Sequence, residues 1–236
     1  MKKSTFLTLI ILTTSTLYGQ LQIDNFTKIT PKSTSDFFTA AASDGEIYYA
    51  EVSFPDRSES SVGFFDGLNW SGLDTSNSGI LSNVVYDIVT HDGKFYFATE
   101  IGLSLLDNGS WSEVTTANSN ITHDEILRVF VDDEIILLQN EQGISYKLSS
   151  AASWTNLSND QLRLSAFPVP LQFYCRPYHK NGILYITDFR STSKYDLASG
   201  DITKYDTRAY GYVSLGSETI MDTRDSGLMV LSNSDS

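Results

Sequence analysis

The chain has 236 residues, and its 29 acidic and 16 basic side chains give a formal net charge of −13 at pH 7. This excess of negative charge argues against nucleic acid and anionic membrane surfaces as partners, because both are bound through basic patches. Cys175 is the single cysteine, which excludes an internal disulfide, so a hydrophobic core must stabilise the fold. We expect Cys175 itself to be a buried structural thiol.

The first twenty residues have the pattern of a secretory signal peptide. Two lysines precede a short apolar run over residues 6–12, and a small and polar stretch ends at Gly19 and Gln20. That run is too short to span a bilayer as a helix, and no later segment is long and apolar enough to do so. We therefore predict a signal peptide over 1–20, export to the periplasm or the cell exterior, and no membrane insertion after signal cleavage. The alternative is a buried N-terminal helix.

One sequence plan recurs five times along the rest of the chain. In each copy a two-residue turn is followed by a run of mostly strand-forming residues, and successive turns lie 35 to 49 residues apart. Asp-Gly and Asn-Gly accept the positive φ angles of a type I′ hairpin, so these turns predict antiparallel strand pairs. The turns are Asp44-Gly45, Asp92-Gly93 and Asn181-Gly182, with weaker versions at Asp132-Asp133 and Gly216-Ser217.

Each copy contains more than one strand pair. A strand precedes the turn, a third short strand follows the next loop, and four of the five copies have a fourth segment. Four short strands in a repeat of about 40 to 50 residues are typical of a β-propeller blade. Trp70, Trp111 and Trp154 lie in three successive fourth segments, and we expect them to pack neighbouring blades together.

The fifth copy has strands one to three but no fourth segment, whereas residues 21–30 (LQIDNFTKIT) resemble one. We therefore predict an all-β protein, a β-propeller of five four-stranded blades over residues 21–236, in which the N-terminal strand closes the ring. Pairing of the first and last residues would remove the open edge at the join. The alternative is that the chain is a piece of a larger propeller.

Residues 81–107 (LSNVVYDIVTHDGKFYFATEIGLSLLD) resemble the two-component-regulator propeller repeat. The matching positions are Leu81, Ser82, Asn83, Asp92, Gly93, Phe95, Ala98, Thr99, Gly102 and Leu103. Gly143-Ile144 and Gly227-Leu228 keep the Gly-apolar step, while residues 191–194 lack it. The resemblance implies a propeller of the kind that forms the periplasmic sensor half of hybrid histidine kinases, which often sense breakdown products of polysaccharides. The leader is similar to those of secreted proteins of Bacteroidota.

A propeller has two faces, and they carry different loops. The loops from strand two to strand three, and from strand four to the next blade, lie on one face, which we call the mouth face. The hairpins between strands one and two lie on the other, the hairpin face. Arginine, carboxylate and aromatic side chains around a ring mouth suit a polar ligand such as a sugar. The predicted ligand-binding residues are Arg57, Glu100, Gln142, Asp188, Arg190 and Arg224.

The alternative for these residues is that they form turns and solvated surface pairs. No catalytic pattern stands out, since His91, His123 and His179 form neither a metal-ligand spacing nor a Ser-His-Asp order. We therefore predict no catalytic residue, no metal site and no cofactor. The expected function is that of an exported, non-enzymatic module that binds carbohydrate or a protein partner at the ring mouth, and not nucleic acid.

Two further interpretations stay open from the sequence. One is a polysaccharide-active hydrolase or lyase, in which two carboxylates from different blades meet in space. The other is the N-terminal fragment of a larger secreted or sensor protein. The ligand is not specified by the sequence, because propellers host unrelated functions.

Overall fold

A computed structural model of the chain describes residues 38–43, 47–52, 60–65, 70–164, 176–188, 190–215, 218–223 and 227–231. These ranges contain nineteen β-strands and no helix, and the strands form five antiparallel sheets. The predicted all-β propeller class is thereby confirmed. In the described ranges, no helix has the length and apolar character that crossing a membrane would need.

Each sheet is one copy of the repeat, and we number the sheets as blades one to five in chain order. Blade one contains β1 (Phe38–Ser43), β2 (Ile47–Val52), β3 (Ser60–Phe65) and β4 (Trp70–Leu73). Blade two contains β5 (Val85–His91), β6 (Lys94–Thr99), β7 (Gly102–Asp107) and β8 (Ser110–Val114). Blade three contains β9 (Arg128–Val131), β10 (Ile135–Asn140), β11 (Gly143–Leu148) and β12 (Thr155–Ser158). Blade four contains β13 (Tyr178–Lys180), β14 (Ile183–Thr187), β15 (Thr192–Asp196) and β16 (Ile202–Tyr205), and blade five contains β17 (Ala209–Leu215), β18 (Glu218–Thr223) and β19 (Gly227–Leu231).

Blade five differs from the others in having three described strands, in the order β17-β18-β19. This agrees with the prediction that the fifth copy supplies only strands one to three. Residues 21–30 lie outside the described residues, so closure of the ring by the N-terminal strand stays a prediction. Cys175 lies outside them as well.

The hairpin turns explain why the first two strands of a blade pair. In blade two, Asp92 and Gly93 have φ angles of 49° and 71°, and in blade four Asn181 and Gly182 have 51° and 77°, as a type I′ turn requires. The turn of blade three is stabilised differently. Oδ1 of Asp132 accepts hydrogen bonds from the backbone N–H groups of Glu134 and Ile135, at 2.8 and 3.0 Å. The side chain of Asp132 thus stabilises a turn that contains no glycine.

The hydrophobic core lies between neighbouring blades. Phe97 of β6 packs with Val62 of blade one, and Leu138 of β10 packs with Leu103 of blade two. Further along, Leu184 of blade four joins the buried residues of blade three, and Met221 of blade five joins Tyr185. The second strands of blades two, three and four are therefore covered on both faces, which accounts for their continuous apolar sequences. In β18 of blade five, by contrast, buried and exposed residues alternate.

The tryptophans contribute to these seams. Trp111 packs beside Phe97, with ring centroids 5.4 Å apart, in the cluster shared by blades one and two. Trp154 is buried in the cluster shared by blades two and three. Their predicted role in blade packing is confirmed, while the side chain of Trp70 lies outside the described residues.

The first strands of blades one, two and three lie next to one another, since β5 contacts β1 on one side and β9 on the other. We call the first strand of each blade its inner strand. Each inner strand starts at the mouth face and ends at the hairpin face. Three of them, β1, β5 and β17, carry a register shift near the mouth, between Phe38 and Ala40, between Val85 and Asp87, and between Ala209 and Gly211. These β-bulges redirect the side chain that they contain.

Candidate functional site

On the mouth face, the turns after the second strands are held by side chains of the strand ends. In blade two, the hydroxyl of Thr99 donates to the carbonyl of Gly102 at 2.7 Å, and in blade five Thr223 does the same to Gly227 at 2.8 Å. Asn140 in blade three accepts from the backbone N–H of Gln142 at 2.8 Å. The turns of the mouth face are therefore fixed locally, each by its own blade.

The predicted binding residues occupy these turns. Glu100 and Gln142 are exposed in blades two and three, and Arg190 is exposed in blade four. Oε1 of Glu100 accepts from the hydroxyl of Ser82 at 2.7 Å, and the carbonyl of Gln142 accepts from the N–H of Asn159 at 2.8 Å.

Asp188 is buried, and its Oδ1 accepts the backbone N–H groups of Arg190 and Ser191, both at 2.6 Å. That geometry matches the alternative interpretation of a turn-forming carboxylate. Arg57 and Arg224 lie outside the described residues. A role of all six in ligand binding stays a prediction.

A buried carboxylate near the mouth joins two inner strands and the residues just before a third. Asp87 of β5 is fully buried, and its Oδ2 accepts from the N–H of Val129 in blade three at 3.0 Å. Both of its oxygens also accept from the guanidinium of Arg176, which precedes blade four. An inner strand is the edge of its sheet and has unpaired backbone groups, and Asp87 satisfies one of them. The carboxylate therefore links blades two, three and four.

In blade three, Arg128 occupies the position that Asp87 has in blade two. Asp87 pairs across the sheet with Ala98 and Arg128 pairs with Gln139. The buried guanidinium of Arg128 donates to the carbonyl of Tyr86 at 3.1 Å. Gln139 donates to the carbonyl of Thr187 in blade four at 3.4 Å, while its Oε1 is buried without a hydrogen-bond partner among the described residues. The mouth ends of the inner strands are thus densely polar.

Of the three bulges near the mouth, those of β5 and β17 hold tyrosines, and the environments of these tyrosines differ. In blade two, Tyr86 is buried and its hydroxyl donates to Glu125 at 3.2 Å. In blade five, Tyr210 is 52% exposed, and the guanidinium carbon of Arg208 lies 5.0 Å from its ring centroid. This distance is within the range of a cation–π contact. Tyr210 therefore presents an exposed aromatic ring at the mouth, and Arg208 stabilises the ring position by a cation–π contact.

Sequence reasoning missed Asp87, Arg128, Arg176 and Tyr210. The contacts of Asp87, Arg128 and Arg176 join residues from different blades, so no short motif contains them. Tyr210 contacts Arg208, two residues earlier in the chain. One local signal was available, because Val-Tyr-Asp over 85–87 and Ala-Tyr-Gly over 209–211 stand at the same place in their repeats.

On the hairpin face, side chains connect the hairpins of successive blades. Nε2 of His91 in blade two lies 3.1 Å from Oδ1 of Asp133 in blade three. Nδ1 of His179 in blade four lies 2.7 Å from Oδ2 of Asp132, and Lys180 donates to the carbonyl of Glu218 in blade five at 3.0 Å. Polar contacts therefore run across three consecutive blade boundaries.

The contacts of His179 define its tautomer. Its Nε2 accepts from the backbone N–H of Gly182 at 3.2 Å, so the ring proton is on Nδ1 and is donated to Asp132. Burial works against the ionised form of Asp132, but this hydrogen bond and those from the backbone outweigh burial and hold the pKa of Asp132 below its ordinary value of 3.8. The hairpins of blades three and four are thus joined through an ionised carboxylate.

A cleft of about 380 Å³ opens between the hairpins of blades two and three. Its lining includes His91, Asp92, Asp133, Tyr96 and Lys147. Burial raises the pKa of Tyr96, Lys94 partly opposes the rise, and the carboxylates of Asp107 and Asp92 add to it. The phenol of Tyr96 is therefore protonated at neutral pH.

These features define the class of protein: the chain is a β-propeller module, with polar inner strands at one face and linked hairpins at the other. The fold resembles that of the extracellular domains of two-component systems from B. thetaiotaomicron. Against the extracellular domain of the hybrid two-component system BT4673, the TM-score is 0.60 at 12% identity, over 86% of this chain and 28% of that one. Against that of BT3049, it is 0.57 at 12% identity, over 85% of this chain and 34% of that one.

A structure of a nidogen/laminin complex is also similar, with a TM-score of 0.54 at 10% identity over 83% of this chain and 75% of that one. The chain spans about a third or less of the length of the two B. thetaiotaomicron extracellular domains. No family model matches the sequence, and a search of curated proteins gives no match. At these identities the likeness concerns the fold, and at that level it agrees with the resemblance of residues 81–107 to the two-component-regulator propeller repeat.

Proposed function

We propose that the chain is an exported, non-enzymatic propeller module that binds a carbohydrate at its mouth face. The observation that carries the proposal is the exposed ring of Tyr210 at the mouth end of an inner strand, beside Arg208. The proteins with a similar fold include extracellular domains of two-component systems rather than enzymes. This supports both export and a binding role.

The chemistry of the inner strands suits a sugar. An exposed aromatic ring offers an apolar face on which a sugar ring packs, while nearby polar groups fix its orientation. The side chain of Arg176 is 43% exposed, and its bonds to Asp87 hold the guanidinium in one orientation. A donor that is already oriented loses less conformational entropy when a ligand binds.

The mouth-face turns would form the outer part of the site. Glu100, Gln142 and Arg190 are exposed in equivalent turns of three consecutive blades, and carboxylate, amide and guanidinium groups all hydrogen-bond sugar hydroxyls. With Arg57, Asp188 and Arg224 they complete the rim proposed from the sequence. A ligand spanning the rim would contact several blades at once.

The test is calorimetric titration of the purified protein with a panel of oligosaccharides. We expect one oligosaccharide class to bind, and Tyr210→Ala to weaken its binding by about tenfold, because the lost aromatic contact is worth on the order of 1 kcal/mol or more. Val213→Ala is the matched control, since Val213 lies on the same strand and is also exposed. Arg190→Ala should weaken binding and Lys204→Ala, on the outer strand β16, should not.

Two results would overturn parts of this proposal. If no oligosaccharide binds while a protein partner does, and Tyr210→Ala abolishes that interaction, the mouth is a protein-binding surface. If the bound oligosaccharide is recovered cleaved, the chain is an enzyme.

A further inference from the structure

Between blades two and three, the hairpin face brings one imidazole and two carboxylates together. Nε2 of His91 lies 3.8 Å from Oδ2 of Asp92 and 3.1 Å from Oδ1 of Asp133, and the three candidate ligand atoms lie within 4.8 Å of one another. We propose that these three residues bind a divalent transition-metal ion such as Zn²⁺, which joins the hairpins of the two blades. The site is separate from the carbohydrate site proposed at the mouth.

The spacing of the ligand atoms suits one ion. Zn²⁺ holds imidazole nitrogen and carboxylate oxygen at about 2.0–2.2 Å in a tetrahedral arrangement, so two ligand atoms on one ion are about 3.4 Å apart. The distances of His91 to the two carboxylates, 3.1 and 3.8 Å, lie on either side of this value. Small side-chain rotations would therefore place an ion between the three groups.

The donor set indicates the type of ion. Calcium and magnesium prefer oxygen ligands alone, whereas a mixture of imidazole and carboxylate suits zinc and its first-row neighbours. Three protein ligands leave a coordination position open toward the cleft. Tyr96 also lines the cleft. Water or an anion from solvent would occupy that position.

Both carboxylates project from turns whose backbones are fixed. Asp92 has a φ of 49° in its type I′ turn. The Asp133 turn is held by the side chain of Asp132 and by Ser149, whose hydroxyl donates to the carbonyl of Asp133 at 2.6 Å. Ligands on such turns lose little backbone freedom when the ion binds. Lys147, across the cleft, opposes binding by its positive charge.

A direct hydrogen bond between His91 and Asp133 would also explain their contact without any ion. The two explanations differ over Asp92, whose oxygen at 3.8 Å from Nε2 is too far for a hydrogen bond. Removing the charge of Asp92 should leave a purely structural contact intact, whereas it removes a ligand from a metal site. Asp92→Asn is well suited to this test, because Asn-Gly also favours a type I′ turn.

The experiment is calorimetric titration of the EDTA-treated, purified protein with Zn²⁺. We expect binding of one ion per chain, weakened at least about tenfold by Asp92→Asn, by Asp133→Asn and by His91→Ala. Lys147→Gln should strengthen binding. His123→Ala is the control, since His123 is an exposed histidine in the loop between β8 and β9.

Melting temperatures of the metal-free variants show that each one folds. Absence of stoichiometric binding overturns the proposal. So does unchanged affinity in Asp92→Asn and Asp133→Asn, or a loss of affinity in His123→Ala equal to that in His91→Ala.

Discussion

Glycines at the turns of the two faces differ in how tightly their surroundings enclose them. On the mouth face, Gly143 begins β11 with a φ of 150°, and a Cβ added there would lie 2.0 Å from the carbonyl oxygen of Leu157. On the hairpin face, Gly109 has a φ of 81°, and no described atom lies within 4 Å of where its Cβ would be. The mouth-face turns of blades two and three, at Gly102 and Gly143, are thus packed against the fourth strand, whereas no described atom lies within 4 Å of a Cβ at Gly109, nor at Gly227 of blade five, which has no described fourth strand.

The carboxylates that link neighbouring blades on the two faces also differ in how deeply they are buried. Near the mouth, Asp87 is fully buried and held by two other blades. At the hairpins, Asp133 is 88% exposed where it meets His91. The link at Asp87 is therefore shielded from water, while the link between His91 and Asp133 at the hairpin face can be reached by solvent and ions.

The largest difference in stability is expected between alanine substitutions of the two glycines, Gly143 on the mouth face and Gly109 on the hairpin face. Gly143→Ala should lower the free energy of unfolding by about 3 kcal/mol or more, because the backbone strain and the clash with Leu157 add together. Gly109→Ala meets only the cost of a positive φ, about 1 kcal/mol. Urea unfolding of both variants measures the difference, and equal losses would contradict the contrast between the faces.

Loss of the buried carboxylate should have the next largest effect. Asp87→Ala leaves the N–H of Val129 and the guanidinium of Arg176 without their acceptor, and we expect a loss of about 2–3 kcal/mol. The estimate is at the low end for a buried charge because Arg176 can regain water. Asp107→Ala is the control on the hairpin face, where the ion pair with Lys94 at 3.1 Å is exposed. If Asp107→Ala destabilises as much, burial is not what distinguishes the mouth.

On the hairpin face itself, His179 should matter more than any exposed histidine. His179→Leu keeps apolar bulk but leaves Oδ2 of Asp132 and the N–H of Gly182 unpaired, and we expect a loss of about 1–2 kcal/mol. His123→Leu, at an exposed position, should change stability little. Denaturant unfolding of both variants tests this, and similar values would mean that the link between blades three and four contributes nothing.

The smallest expected effect is on the free energy of unfolding at acidic pH, through the carboxyl group of Asp132. Because the folded pKa of Asp132 lies below its ordinary value of 3.8, the unfolded chain binds the proton more readily. The stability that this carboxylate contributes is therefore fully present above about pH 4 and is lost as the pH falls through the folded pKa. Asp132→Asn should flatten the stability profile below pH 4. An unchanged slope would show that His179 does not hold the carboxylate in its ionised form.

Much of the fold was predictable from the sequence because it depends on local signals. The turn at Asp92-Gly93 and the apolar run after it define two strands within a dozen residues, and the same signals recur in each copy. The order of the described strands within each blade was predicted correctly from these signals. Closure of the ring involves residues 21–30, so it could not be compared.

The sites were less predictable because their contacts are long-range. Asp87 and Arg176 lie 89 residues apart in the chain, and His91 meets Asp133 only because hairpins of adjacent blades come together. Asp188 was correctly placed on the mouth face, but a local pattern does not show that its Oδ1 is occupied by its own turn. Local sequence predicts which face a residue occupies better than it predicts its neighbours.

The bonds of Asp87 have a consequence for how the molecule opens. In repeat proteins whose units touch only their neighbours, one unit can separate while the rest stay folded. Arg176 reaches past blade three to Asp87 in blade two, and Val129 of blade three binds the same carboxylate. Separating any one of these three blades breaks contacts of the other two. Blades two to four therefore form one cooperative unit, and their inner amides should exchange with solvent only through a shared opening.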